Sequence, residues 1–166
     1  LWLLSKNNKF KKNLKEEFEK NKINSGRIIF SESMPVKEHL VRINFADLFL
    51  DTFPYNAHTT CNDSIWAGVP VLTKIGKSFH SRVASSLLKT SDLEELITHS
   101  DEEYVSKAVK IANDEKYLKQ LKNKLNTFRD INPLFNSKLY TKNLEQAYEI
   151  VFRNYFHKKI PVDIYL

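Results

Sequence analysis

The stretch from Leu48 to Thr73 limits what this chain can fold into more than any other. Leu48-Phe49-Leu50 is a brief apolar run, the kind that a strand buried in a parallel sheet makes. Pro54 forbids further strand pairing and Asn56 is a turn former, so a loop follows. Thr59 or Thr60 can cap the next helix. Asp63, three residues after Thr60, then falls in the first turn, where a carboxylate is favoured. Gly68 ends that helix, and Pro70-Val71-Leu72-Thr73 opens a second apolar strand. A loop of small and hydroxyl residues that feeds a helix N-terminus after a parallel strand is where an α/β fold holds a phosphate.

The rest of the chain repeats that alternation. Leu1-Trp2-Leu3-Leu4 reads as a strand, and a domain that opens on a bare buried strand is expected to continue from something upstream. A helix follows from about Lys9 to Asn21, with Phe10, Leu14 and Phe18 on one stripe, and Arg27-Ile28-Ile29-Phe30 is the next strand. Pro35 suits the first turn of a helix running to about Ala46, with Ser33 just outside it. On that helix His39 and Arg42 stand three apart, on one face, able to act on one ligand. Ser78 to Leu88 reads as a further helix and Leu96-Ile97-Thr98 as a last short strand. From Asp101 onward the spacing is helical, through Tyr104, Ala108 and Ile111, then Leu118, Leu121, Leu125 and Phe128. Beyond Asn132-Pro133, the stripe Tyr140, Leu144, Ala147, Tyr148, Val151, Phe152 and Tyr155 reads as the core face of a C-terminal helix. The expected fold is α/β: a Rossmann-like parallel sheet with helices on both faces, one lobe ending in long helices.

Composition removes several function classes. A length of 166 residues fits one domain with a sizeable core. No apolar run approaches membrane-spanning length, and a single cysteine supports neither an intrachain disulfide nor a zinc site, which suits a reducing cytoplasm. The net charge of +6 invites a nucleic-acid reading, but lysines and glutamates are interleaved, as from Lys6 to Lys22, so a solvated helix face is the better account. With no clustered basic residues set among aromatic platforms, no nucleic-acid partner is expected. No DxD motif stands in a metal-binding context, so no metal or cofactor is expected either.

The triplet His58-Thr59-Thr60, Asp63 after it and the ending Trp66-Ala67-Gly68-x-Pro70 resemble the catalytic C-terminal region of the O-GlcNAc transferase (and SPINDLY-like) family. Leu1 to Leu4, Arg27 to Phe30, Glu38-His39-Leu40, Ala46 to Thr52, Ser81 to Ser85 and Pro133-Leu134-Phe135 extend the resemblance over nearly the whole chain. It implies the C-terminal, nucleotide-holding lobe of a GT-B glycosyltransferase. The implied reaction is transfer from UDP-GlcNAc to Ser or Thr of a protein or peptide acceptor, with inversion. An N-terminal lobe, and in many relatives tetratricopeptide repeats, would lie outside these residues. Alternatives are a GDP-fucose or UDP-glucose donor, or a non-catalytic nucleotide-binding or interaction module.

The resemblance also assigns roles. His39 would pack on the uracil and Arg42 would make a polar contact to it. Thr59 and Thr60 would face the diphosphate, and Asp63 would accept from the ribose hydroxyls, as an ionised carboxylate can. His58 either orients the loop or stabilises the leaving diphosphate, the latter being preferred. The family's donor-binding lysine falls on Val36, and Lys37 beside it is the candidate replacement, although it points about 100° away on a helix. Cys61 reads as a spacer, with a lowered thiol pKa at a helix start as the other reading. Asp51 either faces the ligand or fixes the loop. Arg82 would contact the donor or pair with Asp63 or Asp51.

Overall fold

A computed structural model describes residues 1–165, and the chain divides into two compact units, residues 1–42 and the remainder. In the first, β1 (Trp2–Leu4) pairs in parallel with β2 (Ile29–Ser31), in a register that sets Trp2 beside Ile29 and Leu4 beside Ser31. The crossover is α1 (Asn8–Lys20), begun by Asn7, whose side chain accepts from the Phe10 N–H at 3.0 Å. The Phe10 ring meets Phe30 edge-on, with centroids 6.5 Å apart, which places the apolar stripe of α1 against β2. Next comes α2 (Val36–Ile43), whose first turn closes when the Pro35 carbonyl accepts from His39 N–H at 2.9 Å. Proline fits there because an N–H at a helix start has no intrahelical acceptor.

The second unit is built on β4. Three parallel strands, β3 (Phe49–Leu50), β4 (Val71–Lys74) and β5 (Ile97–Thr98), lie in that order, with Phe49 beside Val71 and Thr73 beside Ile97. Val71, Leu72 and Thr73 are fully covered, as a central strand between two layers must be. The covering helices are α3 (Thr59–Trp66), α4 (Val83–Thr90), α5 (Asp101–Asn113) and α6 (Glu115–Phe128). Cys61 and Ile65 of α3, Ala84 and Leu88 of α4, Ile111 of α5, and Leu121 and Leu125 of α6 close one core with Val71, Leu93, Leu96 and Ile97. Gly68 ends α3 as expected, at φ 77°, with its N–H on the Ile65 carbonyl and that of Val69 on Ser64, a Schellman close.

Four local expectations need correction. Neither Thr59 nor Thr60 caps α3; the N-cap is His58, which makes no side-chain cap bond. Asp63 accordingly lies in the second turn of α3 and not the first. The single helix expected from Ser78 to Leu88 is a 3-10 turn, Phe79–Ser81, followed by α4. Ser78 and Ser81 hydrogen-bond each other's hydroxyls at 2.8 Å, and the Gly76 N–H donates to Ser81 carbonyl oxygen at 2.8 Å, so this knot stops the helix from running through. Finally, the stripe on α7 (Ser137–Phe156) is not a core face: Tyr140, Tyr148, Val151, Phe152 and Tyr155 are all exposed, and no residue of the helix is buried. The helix contacts the 133–135 turn and then outruns the core of its unit.

Candidate functional site

Between β3 and α3 the chain must turn without pairing, and Asp51 holds it. This carboxylate accepts from the backbone N–H of Thr52 at 2.8 Å and of Ala57 at 2.7 Å, and from the Thr73 hydroxyl at 2.6 Å. It is only 6% exposed, and burial pushes its pKa up, while hydrogen bonds from Thr73, Ala57 and Thr52 pull the other way. The backbone carbonyl of Asp51 takes the phenol of Tyr104 at 2.8 Å. Asn56, also buried, donates from its amide to the Thr52 carbonyl at 2.7 Å. Of the two readings of Asp51, then, the structure favours loop fixation: three donors occupy its oxygens.

That loop delivers α3 with its N-terminus open. The first intrahelical bond runs from Asn62 N–H to the His58 carbonyl at 3.1 Å, and the N–H groups ahead of it, of Thr59, Thr60 and Cys61, find no acceptor among the described residues. Thr59 and Thr60 are exposed and Asp63 is half-buried one turn further along. An uncapped helix start with two hydroxyls beside it attracts an anion through both its free donors and its dipole. His58 is half-buried, stacked on Tyr55 with centroids 5.1 Å apart, and its Nε2 lies 3.3 Å from the His80 carbonyl oxygen. Tyr55 also stacks on the His80 ring at 5.2 Å, and Phe79 meets His58 edge-on. Cys61 is fully covered, and burial pushes its thiol up, so the lowered-pKa reading fails and the residue is a core side chain. Arg82 stands exposed at the N-cap of α4, paired with neither Asp51 nor Asp63.

In the first unit, His39 and Arg42 are brought together. An Arg42 Nη2 is 3.0 Å from His39 Nδ1, and its Nη1 donates to the Glu32 carbonyl at 2.8 Å. A guanidinium only donates, so His39 Nδ1 is the acceptor and its hydrogen sits on Nε2, free for another partner. The Arg42 guanidinium also lies over the Trp2 ring at 5.6 Å. Both side chains are therefore oriented by their own unit. Lys37 is exposed on the same helix, and Val36 is 70% exposed.

The family model described as "Glycosyl transferase family 41" matches residues 1–144. The chain belongs to glycosyl transferase family 41. Among curated members of that family, the UDP-N-acetylglucosamine–peptide N-acetylglucosaminyltransferase of Caenorhabditis elegans is 32% identical across 98% of this chain and 14% of its own length. A probable enzyme of the same description, SEC of Arabidopsis thaliana, is 40% identical across 74% of this chain and 13% of its own length. Another probable enzyme of that description, SPINDLY of Solanum lycopersicum, is 35% identical across 75% of this chain and 13% of its own length. A solved structure of a mutant O-GlcNAc transferase from Thermobaculum terrenum superposes with TM-score 0.86 at 29% identity, covering 93% of this chain and 30% of that one. The α/β fold is thus that of a GT-B O-GlcNAc transferase catalytic region, and this family 41 chain spans a small part of the length of its relatives.

Sequence reasoning missed the His58–Tyr55–His80 stack. His80 is 22 positions from His58, and no spacing rule joins them; only the Gly76–Ser81 knot folds one over the other.

Proposed function

We propose that this chain is the donor-binding part of an inverting glycosyltransferase that moves GlcNAc from UDP-GlcNAc to Ser or Thr hydroxyls of proteins. The observation that carries the reading is the open N-terminus of α3, with Thr59 and Thr60 exposed beside unbonded N–H groups on a loop held by Asp51. The relatives, UDP-N-acetylglucosamine–peptide N-acetylglucosaminyltransferases, support this choice of donor and peptide acceptor.

In this reading the acceptor hydroxyl attacks the anomeric carbon and the UDP diphosphate leaves. Negative charge grows on the bridging oxygen as that bond breaks, and the free N–H groups of α3 with the Thr59 and Thr60 hydroxyls compensate it without a metal. His58 stabilises the same leaving group, Asp63 accepts from the ribose hydroxyls, and His39 and Arg42 hold the uracil. Lys37 takes the part that Val36 cannot play. The acceptor-activating groups and much of the acceptor groove belong to an N-terminal lobe, and the enzyme works in the cytoplasm. The test is sugar transfer from labelled UDP-GlcNAc to protein by the full-length protein, with GDP-fucose and UDP-glucose as competing donors. Transfer from UDP-GlcNAc that Thr59→Ala/Thr60→Ala lowers at least tenfold is expected. Transfer from GDP-fucose alone would replace the donor assignment, and transfer from none of them would end the catalytic reading.

A further inference from the structure

Aromatic rings crowd the two loops that follow β3 and β4, and they are unequally occupied. The Tyr55 ring stacks on His58 with centroids 5.1 Å apart and on His80 at 5.2 Å. The Lys74 ammonium lies over the Phe53 ring, 3.8 Å from its centroid. A Cβ on Gly76, at the start of the turn that carries Phe79, would meet the Phe53 ring at 3.0 Å, so the two loops form one patch. Phe79 lacks such cover. Among the described residues it has no stacked partner, meets His58 only edge to face at 6.1 Å, and is 75% exposed.

The turn does not need Phe79 for its own shape. The His80 carbonyl accepts from the Asn56 N–H at 3.1 Å, and the Ser78 and Ser81 hydroxyls bond each other at 2.8 Å. A bare aromatic on a turn held by other residues is the form an interface anchor takes: it offers a large contact area and has little side-chain entropy to lose. Its place restricts the partner. The C-terminal ends of β3 and β4 are the ligand-facing edge of a parallel sheet, and the ring that Phe79 touches is the N-cap of α3. An acceptor hydroxyl must reach the carbon bonded to the diphosphate, so the next residue of the acceptor, about 3.8 Å along its chain, falls on the surface around that helix start. Phe79 is the barest of the phenylalanine and tyrosine rings in the patch, Phe53 and Tyr55 being 48% and 62% exposed. Lys77 and Arg82, on either side of it in sequence, are exposed and form no ion pair among the described residues.

We propose that Phe79, backed by Phe53, is the share of the acceptor groove that this chain supplies. An extended peptide lays an apolar side chain, next to its acceptor Ser or Thr, on the Phe79 ring, and Lys77 and Arg82 favour acidic over basic residues around it. This rests on the transferase reading above and adds to it a docking residue and a preference among acceptors. Phe79 binds the acceptor and takes no part in the chemistry.

Sugar transfer by the full-length protein from labelled UDP-GlcNAc to an array of synthetic peptides, each with one Thr and varied neighbours, reads the preference directly. The wild-type protein should favour an apolar neighbour, and acidic over basic surroundings. Phe79→Ala, shown to be folded by its unfolding curve, should raise KM for the apolar-flanked peptides about tenfold, with kcat and the calorimetric Kd for UDP little changed. Phe79→Tyr should restore most of the lost affinity, and Lys77→Glu should shift the charge preference towards basic surroundings. An unchanged KM and neighbour preference in Phe79→Ala would overturn the inference. So would weaker UDP binding by that variant, which would give the ring to the donor. Conversion of a wild-type oligomer to a smaller species by Phe79→Ala, read by light scattering, would give the patch to a second copy and overturn it too. Failure of the wild-type protein to transfer sugar at all would instead overturn the transferase reading, and the inference with it.

Discussion

Asp51 accepts from Thr52, Ala57 and Thr73 at 2.8, 2.7 and 2.6 Å while almost wholly buried. Taking the carboxylate away leaves three donors without partners inside the fold, so Asp51→Ala should cost about 3 kcal/mol of stability by chemical denaturation. The pH dependence has a definite sign. Burial raises the folded pKa above the ordinary 3.8, so this group's contribution is full below that value and is lost as pH rises through the folded pKa. From about pH 4 upward, the wild-type protein should therefore lose stability relative to Asp51→Asn, until the carboxyl is ionised in both states. A parallel curve for the two proteins would contradict this. Cys61 makes a second residue-scale prediction. Its thiol is buried and pushed up by that burial, so an aromatic disulfide reagent should react only at the rate of unfolding. Tyr104, with its phenol pushed up to about 12 by burial, should stay protonated wherever the protein stays folded.

At the scale of the element, α3 separates stability from binding. Thr59 and Thr60 make no cap bond, so Thr59→Ala/Thr60→Ala should change the unfolding free energy by less than about 0.5 kcal/mol while weakening nucleotide binding. The far end of the same helix behaves oppositely. Gly68 holds φ 77°, and a Cβ there would sit 2.5 Å from Asn126 Oδ1, so Gly68→Ala should cost about 2 kcal/mol of stability and displace α6 locally. The helix end was legible in the sequence because one residue type, glycine, suits a left-handed close. The helix start was not: His58, Thr59 and Thr60 are consecutive polar residues, any of which suits the position by type, and the N-cap falls on His58 next to the Ala57 N–H that Asp51 holds. Asp63 moved from first turn to second for the same reason. The knot of Ser78 and Ser81 shows the limit again, since propensity favours a helix there and side-chain hydroxyls interrupt it.

At the scale of the whole molecule, apolar runs located the five described strands and helical spacing located most of the described α-helices, because a buried parallel strand is near-continuously apolar and an amphipathic helix leaves a repeat. Spacing could not say which apolar stripe is covered. The stripe of α7 has the spacing of a core face, yet Tyr148, Phe152 and Tyr155 are exposed at 65%, 69% and 81%. Spacing records that a helix has a partner face and says nothing of where the partner lies. No described helix is long and apolar enough to cross a membrane. Because the chain spans 14% of its worm relative, residues 1–166 alone should bind nucleotide weakly and transfer no sugar. Transfer by the isolated chain would contradict the assignment of the acceptor-activating groups to another lobe.

If the α3 N-terminus holds the donor's diphosphate, nucleotide binding must depend on the residues that open that helix. UDP and GDP are titrated calorimetrically into the full-length protein and into its Thr59→Ala/Thr60→Ala/Asp63→Ala variant, with both proteins shown to be folded by their unfolding curves. UDP binding by the wild-type protein, little GDP binding, and loss of UDP binding in the folded variant are expected. Undiminished UDP binding by that variant would contradict it.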